Sequence, residues 1–221
     1  MTPSLRTRVK ICGLTRLEDI DAAVQAGTDA IGFVFYGASK RCVDIQQARL
    51  LRQSVPAFIS VTALFVNAPE ADVRAVIDQV QPDLLQFHGD ETPEYCERFG
   101  RRYLRAFRVG GPGLDTPSSV LDACRPYASA SAWLFDSYSA GYGGSGLAFD
   151  SGLLRDVRAA SDSRPMVLAG GLKPESLGQL IRQVRPYAVD VSSGVETAPG
   201  IKSAEKIGTF MQALRAASEN L

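Results

Sequence analysis

A thiol and an ammonium group lie two residues apart in the run Arg8-Val9-Lys10-Ile11-Cys12-Gly13. Period-2 alternation puts Val9 and Ile11 on one face of this segment and Lys10 and Cys12 on the other. A neighbouring cation lowers a thiol pKa and makes a thiolate available near neutral pH, as a base or a nucleophile. Cys12 is equally readable as a small buried hydrophobe. Lys10 has two chemical roles open to it, a Schiff-base amine or a charge that tunes Cys12. Asp136 follows Trp133-Leu134-Phe135, and alternation turns Leu134 and Asp136 to the same side. A carboxyl among apolar walls holds its proton more tightly, which suits a general acid. The competing role is a cap on the next loop. Arg41 offers a planar fork that matches a carboxylate, unless it is simply solvated. His88, the only histidine, and Asp190 each fit a substrate contact or a structural hydrogen bond.

Three glycine- and serine-rich segments add an anion-binding theme. They are Gly143-Gly144-Ser145-Gly146, Gly170-Gly171 and Ser192-Ser193-Gly194. Bare glycines let backbone N–H groups approach a phosphate, and the serines add hydroxyls. For each segment alone, a tight turn is a sufficient explanation. Gly170-Gly171 and Ser192-Ser193-Gly194 close consecutive strand-like runs, and that pairing favours phosphate. The 143–146 segment fits a loop that closes over substrate.

The elements that must carry these residues alternate along the chain. Strand-like runs fall at 9–12, 30–35, 60–65, 84–87, 103–107, 132–135, 166–168 and 188–191. Amphipathic stretches of helical period fall at 17–26, 45–53, 70–79, 93–99, 117–124, 149–160, 174–185 and 203–217. Alternation of this kind predicts parallel strands joined by helical crossovers. Thr15 with Glu18 fits a capping box, and Pro69, Pro93 and Pro174 suit first-turn positions. Eight such units in 221 residues fit a single α/β domain, 1–221, folded as a (β/α)8 TIM barrel. The loop after the first strand, Cys-Gly-Leu-Thr, is no dinucleotide fingerprint, which disfavours an open doubly wound sheet. In a barrel the C-terminal strand ends and the loops after them meet at one mouth, and every residue singled out above falls at a strand end, in the loop that follows one, or on an inward face.

The bulk numbers show an ordinary globular balance. Apolar residues make up 45% and charged residues 22%, with a net charge of zero. That balance gives no electrostatic support for binding nucleic acid or a membrane surface. No apolar run approaches a membrane span, and residues 1–6 lack the apolar core of a secretion signal. Cys12, Cys42, Cys96 and Cys124 are scattered, without CxxC spacing, so neither a zinc site nor a disulfide framework is expected. A reducing cytoplasm is the default compartment. No metal, cofactor or obligate protein partner is expected.

In this order and at these strand ends, the motifs resemble the phosphoribosylanthranilate isomerase family. The resemblance rests on Val9-Lys10-Ile11-Cys12-Gly13-Leu14-Thr15, Gly32-Phe33-Val34-Phe35 with Ser39-Lys40-Arg41, and Gln86-Phe87-His88-Gly89-Asp90-Glu91. It continues through Phe135-Asp136 with Gly143-Gly144-Ser145-Gly146, Leu168-Ala169-Gly170-Gly171-Leu172, Asp190-Val191-Ser192-Ser193-Gly194-Val195-Glu196, and Pro199-Gly200-Ile201-Lys202. Departures are small: Ser-Pro-Arg is usual at Ser39-Lys40-Arg41, Gly-Gly-Thr-Gly at 143–146, and Leu at Phe87. The resemblance implies the Amadori rearrangement of N-(5-phosphoribosyl)anthranilate in tryptophan biosynthesis, without a cofactor. It implies Cys12 as general base, Asp136 as general acid and Arg41 as the anthranilate carboxylate contact. Gly144, Ser145, Gly146, Gly170, Gly171, Ser192, Ser193 and Gly194 would hold the phosphate. Other readings of the same residues are a Schiff-base aldolase through Lys10, the related histidine-pathway isomerase, and a phosphate-ligand sensor without turnover.

Overall fold

The computed structural model describes residues 6–138 and 150–218. Eight parallel strands close into a barrel in chain order: β1 (Arg8–Cys12), β2 (Ala30–Phe35), β3 (Ser60–Phe65), β4 (Leu84–Phe87), β5 (Tyr103–Val109), β6 (Ala132–Ser137), β7 (Met166–Leu168) and β8 (Ala188–Val191). Strand β8 pairs with β1, setting Lys10 opposite Asp190, and β1 pairs with β2, setting Cys12 opposite Gly32. The helices α1 (Leu17–Ala26), α2 (Ile45–Gln53), α3 (Glu70–Val80), α4 (Pro93–Glu97), α5 (Pro117–Cys124), α6 (Arg155–Ala159), α7 (Pro174–Val184) and α8 (Ala204–Ser218) follow the strands in turn. A short antiparallel hairpin, β9 (Glu196–Ala198) and β10 (Ile201–Lys202), sits between β8 and α8.

Strand alternation divides the core in two. Residues on the outer face of the strands, among them Phe33, Phe65, Phe87, Phe107 and Phe135, pack under the helices. Their rings meet in series, with Phe35 on Phe65 at 5.6 Å and Phe107 on Phe135 at 5.9 Å. Inward-facing Leu104, Ala106, Leu134 and Val167 form a separate apolar cluster within the barrel. Burying such large side chains outside the barrel, at roughly 1.5–3 kcal/mol each, supplies most of the drive for closure.

The helix ends correct some details of the sequence reading. Thr15 does not cap α1: Arg16 is the N-cap, with no side-chain cap bond, and the Thr15 hydroxyl donates to Gly200 O at 2.7 Å. Pro93 and Pro174 do occupy first-turn positions, whereas Pro69 is the N-cap of α3. Caps not foreseen are Thr92 on α4 and a full Thr116–Ser119 capping box on α5. The stretch expected to be one helix over 149–160 is a 3₁₀ turn, Ser151–Leu154, running into the short α6. The Asp150 carboxylate accepts from Gly152 N and sets that turn. Strand β6 runs on through Asp136 to Ser137, so Asp136 is held by sheet bonds rather than by a loop.

Candidate active site

The C-terminal strand ends enclose a cavity of about 740 Å³, counting its open mouth. Cys12, Arg41, His88, Asp136, Gly170, Gly171, Asp190, Ser192, Ser193 and Gly194 all line it. Ten residues singled out from sequence therefore converge on one space. Gly144, Ser145 and Gly146 lie outside the described residues.

Strand β1 delivers Lys10 and Cys12 inward as alternation requires, and both are buried. Their neighbour on β2 is Gly32, where a Cβ would stand 2.8 Å from Cys12 Sγ and 3.1 Å from Lys10 Cε. A residue without a side chain at this point makes room for the thiol and the lysine. Lys10 Nζ donates to Asp190 Oδ2 at 2.7 Å inside the barrel. Burial works to lower the Lys10 pKa, but Asp190 and Cys12 raise it further than burial lowers it, so Lys10 stays an ammonium. Burial also pushes Asp190 upward, against the pull of Lys10.

The expectation that Lys10 depresses the Cys12 thiol needs correction. Burial is the dominant influence and raises the thiol above its ordinary value; Lys10 and, further off, Lys202 pull it back only partly, while Asp190 adds to the rise. Desolvating a thiolate in a closed strand end costs more than these cations return. The Schiff-base role for Lys10 loses its footing as well, because an ammonium held by a buried carboxylate has no lone pair to attack with.

Asp136 closes the opposite side of the mouth. Its Oδ1 accepts from Ser137 N at 2.8 Å, and its Oδ2 lies 3.2 Å from His88 Nε2, away from ideal hydrogen-bond alignment. His88 Nδ1 meets Gln86 Nε2 at 3.0 Å. With the amide nitrogen as donor, Nδ1 accepts, and the ring proton sits on Nε2, facing Asp136. Gly170 crowds the same carboxylate: at φ 73° its would-be Cβ falls 2.5 Å from Asp136 Oδ1. Only glycine suits that backbone and that approach.

Arg41 reaches the cavity, but its fork is occupied. Nε and Nη2 donate to the two carboxylate oxygens of Glu196, at 2.8 and 2.7 Å. The Ser192 hydroxyl is also engaged: it donates to Cys12 O at 2.9 Å and lies 3.2 Å from Lys202 Nζ. Its single proton is spent on the backbone, so the expected hydroxyl contact of Ser192 to phosphate is not set up here.

Four residues with roles here were not foreseen from sequence. Glu196 and Lys202 form the ion pair behind Arg41 at 2.8 Å. Arg105 of β5 donates to Phe87 O and Gly89 O, the carbonyls on either side of His88. Glu91 accepts from Asn67 N and Gly89 N, and fixes the same loop. The available signal was a charge inside an apolar strand run, as in Tyr103-Leu104-Arg105-Ala106-Phe107. Among the described residues, no group of three His, Cys, Asp or Glu side chains is placed to hold a metal ion. No described helix is long and apolar enough to cross a membrane.

Comparison with known proteins decides the family. Residues 9–213 match the sequence profile of N-(5'phosphoribosyl)anthranilate (PRA) isomerase. The chain belongs to the PRA isomerase family. It is 63% identical to the N-(5'-phosphoribosyl)anthranilate isomerase of Bordetella bronchiseptica over 97% of this chain and 99% of that one. With the Pseudomonas putida isomerase (strain GB-1) it shares 51% identity over 95% of this chain and 98% of the relative. The crystal structure of the Thermotoga maritima phosphoribosyl anthranilate isomerase superposes with a TM-score of 0.85 at 37% identity, covering 95% of this chain and 99% of that one. A PRA isomerase solved with reduced 1-(o-carboxyphenylamino)-1-deoxyribulose 5-phosphate superposes with a TM-score of 0.82 at 35% identity, over 95% and 99% of the two chains. Like its relatives, this PRA isomerase family member is an isomerase built on a (β/α)8 barrel.

Proposed function

We propose that this chain converts N-(5'-phosphoribosyl)anthranilate to 1-(2-carboxyphenylamino)-1-deoxyribulose 5-phosphate, an aldose-to-ketose step of tryptophan biosynthesis. The observation that carries the reading is one cavity lined by both Cys12 and Asp136, with a cation and glycine-rich backbone on the same walls. The substrate has two anionic ends. Arg41 takes the anthranilate carboxylate through Nη1, the edge that Glu196 leaves uncommitted. The backbone N–H groups of Gly170, Gly171, Ser193 and Gly194 take the phosphate.

Two proton transfers open the ring and form the enolamine, and two more complete the tautomerisation. Asp136 protonates the furanose ring oxygen, the C1–O bond breaks, and the nitrogen lone pair forms a C1=N iminium. Cys12, as thiolate, then removes the C2 proton, and the electron pair moves to give a C1=C2 enolamine. Reprotonation at C1 and loss of the O2 proton leave the C2 ketone. His88, hydrogen-bonded to Gln86, faces Asp136 and orients its carboxyl. Each acid or base contribution is worth roughly 10²–10⁴-fold. Holding both ends of the substrate supplies orientation, which can reach about 7–11 kcal/mol of barrier. The thiolate role needs the cations Lys10 and Lys202 to offset burial, and the four described cysteines are free, as a reducing cytoplasm would keep them.

The test is the loss of phosphoribosylanthranilate fluorescence with purified protein. Turnover by the unaltered chain is expected, together with rescue of a tryptophan auxotroph. Tight binding without turnover would leave the ligand-sensor reading in its place.

A further inference from the structure

Behind Arg41 lies a buried network of which the catalytic scheme uses only the charge of Lys202. Glu196, at the start of β9, accepts both Arg41 bonds with a side chain only 5% exposed. Lys202, on β10, donates to the same carboxylate at 2.8 Å, and its side chain is fully buried. Lys202 Nζ also donates to Ser192 O at 3.2 Å, and the Ser192 hydroxyl in turn holds Cys12 O. Gly200 N gives Glu196 Oε1 a further donor. One carboxylate on the β9–β10 hairpin thus fixes the arginine from the loop after β2, while its lysine partner is bonded to Ser192, just after β8, whose hydroxyl holds the carbonyl of Cys12.

Stability is a weak explanation for such an arrangement, since a buried ion pair often contributes no more than apolar packing would. Orientation explains it better. The guanidinium is held by Nε and Nη2, so its plane is set and only Nη1 remains to face a ligand. The stem of Arg41 lies against the turn after Cys12, where a Cβ on Gly13 would strike its Cδ at 2.5 Å. Arginine is rotamer-rich, and ordering it before the ligand arrives removes that cost from binding. Charge points the same way. Two cations face one carboxylate, so the cluster keeps one positive charge in excess for an anion.

We infer that Glu196, braced by Lys202, is a positioning residue that aims Arg41 at the carboxylate of the substrate and so sets preference for a carboxylated aryl ring. This inference rests on the isomerase reading above. Its signature is selective: binding of the carboxylated end weakens, while phosphate binding and proton transfer are spared.

The experiment uses two inhibitors, reduced 1-(o-carboxyphenylamino)-1-deoxyribulose 5-phosphate and its counterpart without the ring carboxylate. For Glu196→Gln, affinity for the carboxylated ligand is expected to fall about tenfold or more, with little change for the other, as loss of an oriented charge-assisted contact requires. KM for phosphoribosylanthranilate rises in parallel, and kcat stays within a few-fold. Equal weakening of both ligands, or an unchanged ratio, overturns the inference. If Glu196→Gln does not fold, Glu196→Asp, which keeps the charge and shortens the reach, is held to the same ratio. An unaltered chain that turns over substrate while the ratio stays fixed in the variant defeats this inference alone. An unaltered chain with no turnover defeats the isomerase reading, and one that turns over substrate with no preference for the carboxylated ligand defeats this inference alone.

Discussion

The two halves of the barrel interior are built from opposite materials. The wall of β5, β6 and β7 presents Leu104, Ala106, Ala132, Leu134, Val167 and Ala169, an apolar cluster with Asp136 at its upper edge. The wall running from β8 through β1 to β4 presents Asp190, Lys10, Cys12, Thr62 and Gln86, all buried. One wall is held by packing, where each residue can be replaced by another of similar volume. The other carries a buried charge pair, Lys10 with Asp190, where removing one partner strands its mate. The fold tolerates a polar wall because the apolar wall and the helix layer carry the burial. The chemistry needs that wall because a proton-transfer site cannot be made of methyl groups.

The contrast can be broken at its edges. Cys12→Ser and Asp136→Asn are each expected to cut kcat by roughly 10²–10⁴-fold while far-UV circular dichroism and the thermal midpoint stay close to those of the unaltered chain. Near-normal turnover by either variant would remove the assigned acid–base pair. Asp190→Asn leaves Lys10 buried without its counter-charge, and urea denaturation is expected to show a loss of about 3–5 kcal/mol. The Lys10→Met/Asp190→Leu double variant is expected to recover much of that loss but not the activity. On the other wall, Leu134→Ala is expected to cost about 2–5 kcal/mol through its cavity. Its kcat at 25 °C should stay near that of the unaltered chain, and the two walls would not differ as described if stability held while activity fell.

The mildest effect is one of pH. Burial pushes the Cys12 thiol up, so its protonated form dominates at neutrality and the thiolate fraction grows as pH rises. The kcat/KM of the free enzyme is therefore expected to climb on the alkaline side of neutrality. A profile that only falls there would contradict a thiolate base.

The apolar wall and the overall barrel were legible in the sequence because period and alternation report burial directly. Five of the eight strands match expectation at both ends, β1 begins one residue earlier, and β5 and β6 differ only by running on two residues at their C-terminal ends. The site was legible as a set of positions, since barrel topology sends every strand end to one mouth. What each residue does there was less legible. Arg41 was visible as a fork, but Glu196 lies 155 residues away and its grip on Arg41 has no local signature. The Cys12 pKa was misjudged because sequence shows the neighbouring Lys10 but not how completely the strand end is dried. Thr15 carried the pattern of a helix cap, and a hairpin absent from the periodicity took its hydroxyl instead.

The bond between Lys10 and Asp190 spans 180 residues of chain and sits on the seam where the first strand meets the last. A growing polypeptide that has made seven strands therefore has its apolar wall but an open side, with the ammonium of Lys10 unanswered and Ser192 and Glu196 still to come. Catalytic competence arrives only with the final strand and hairpin, so turnover doubles as a report that the whole ring has closed.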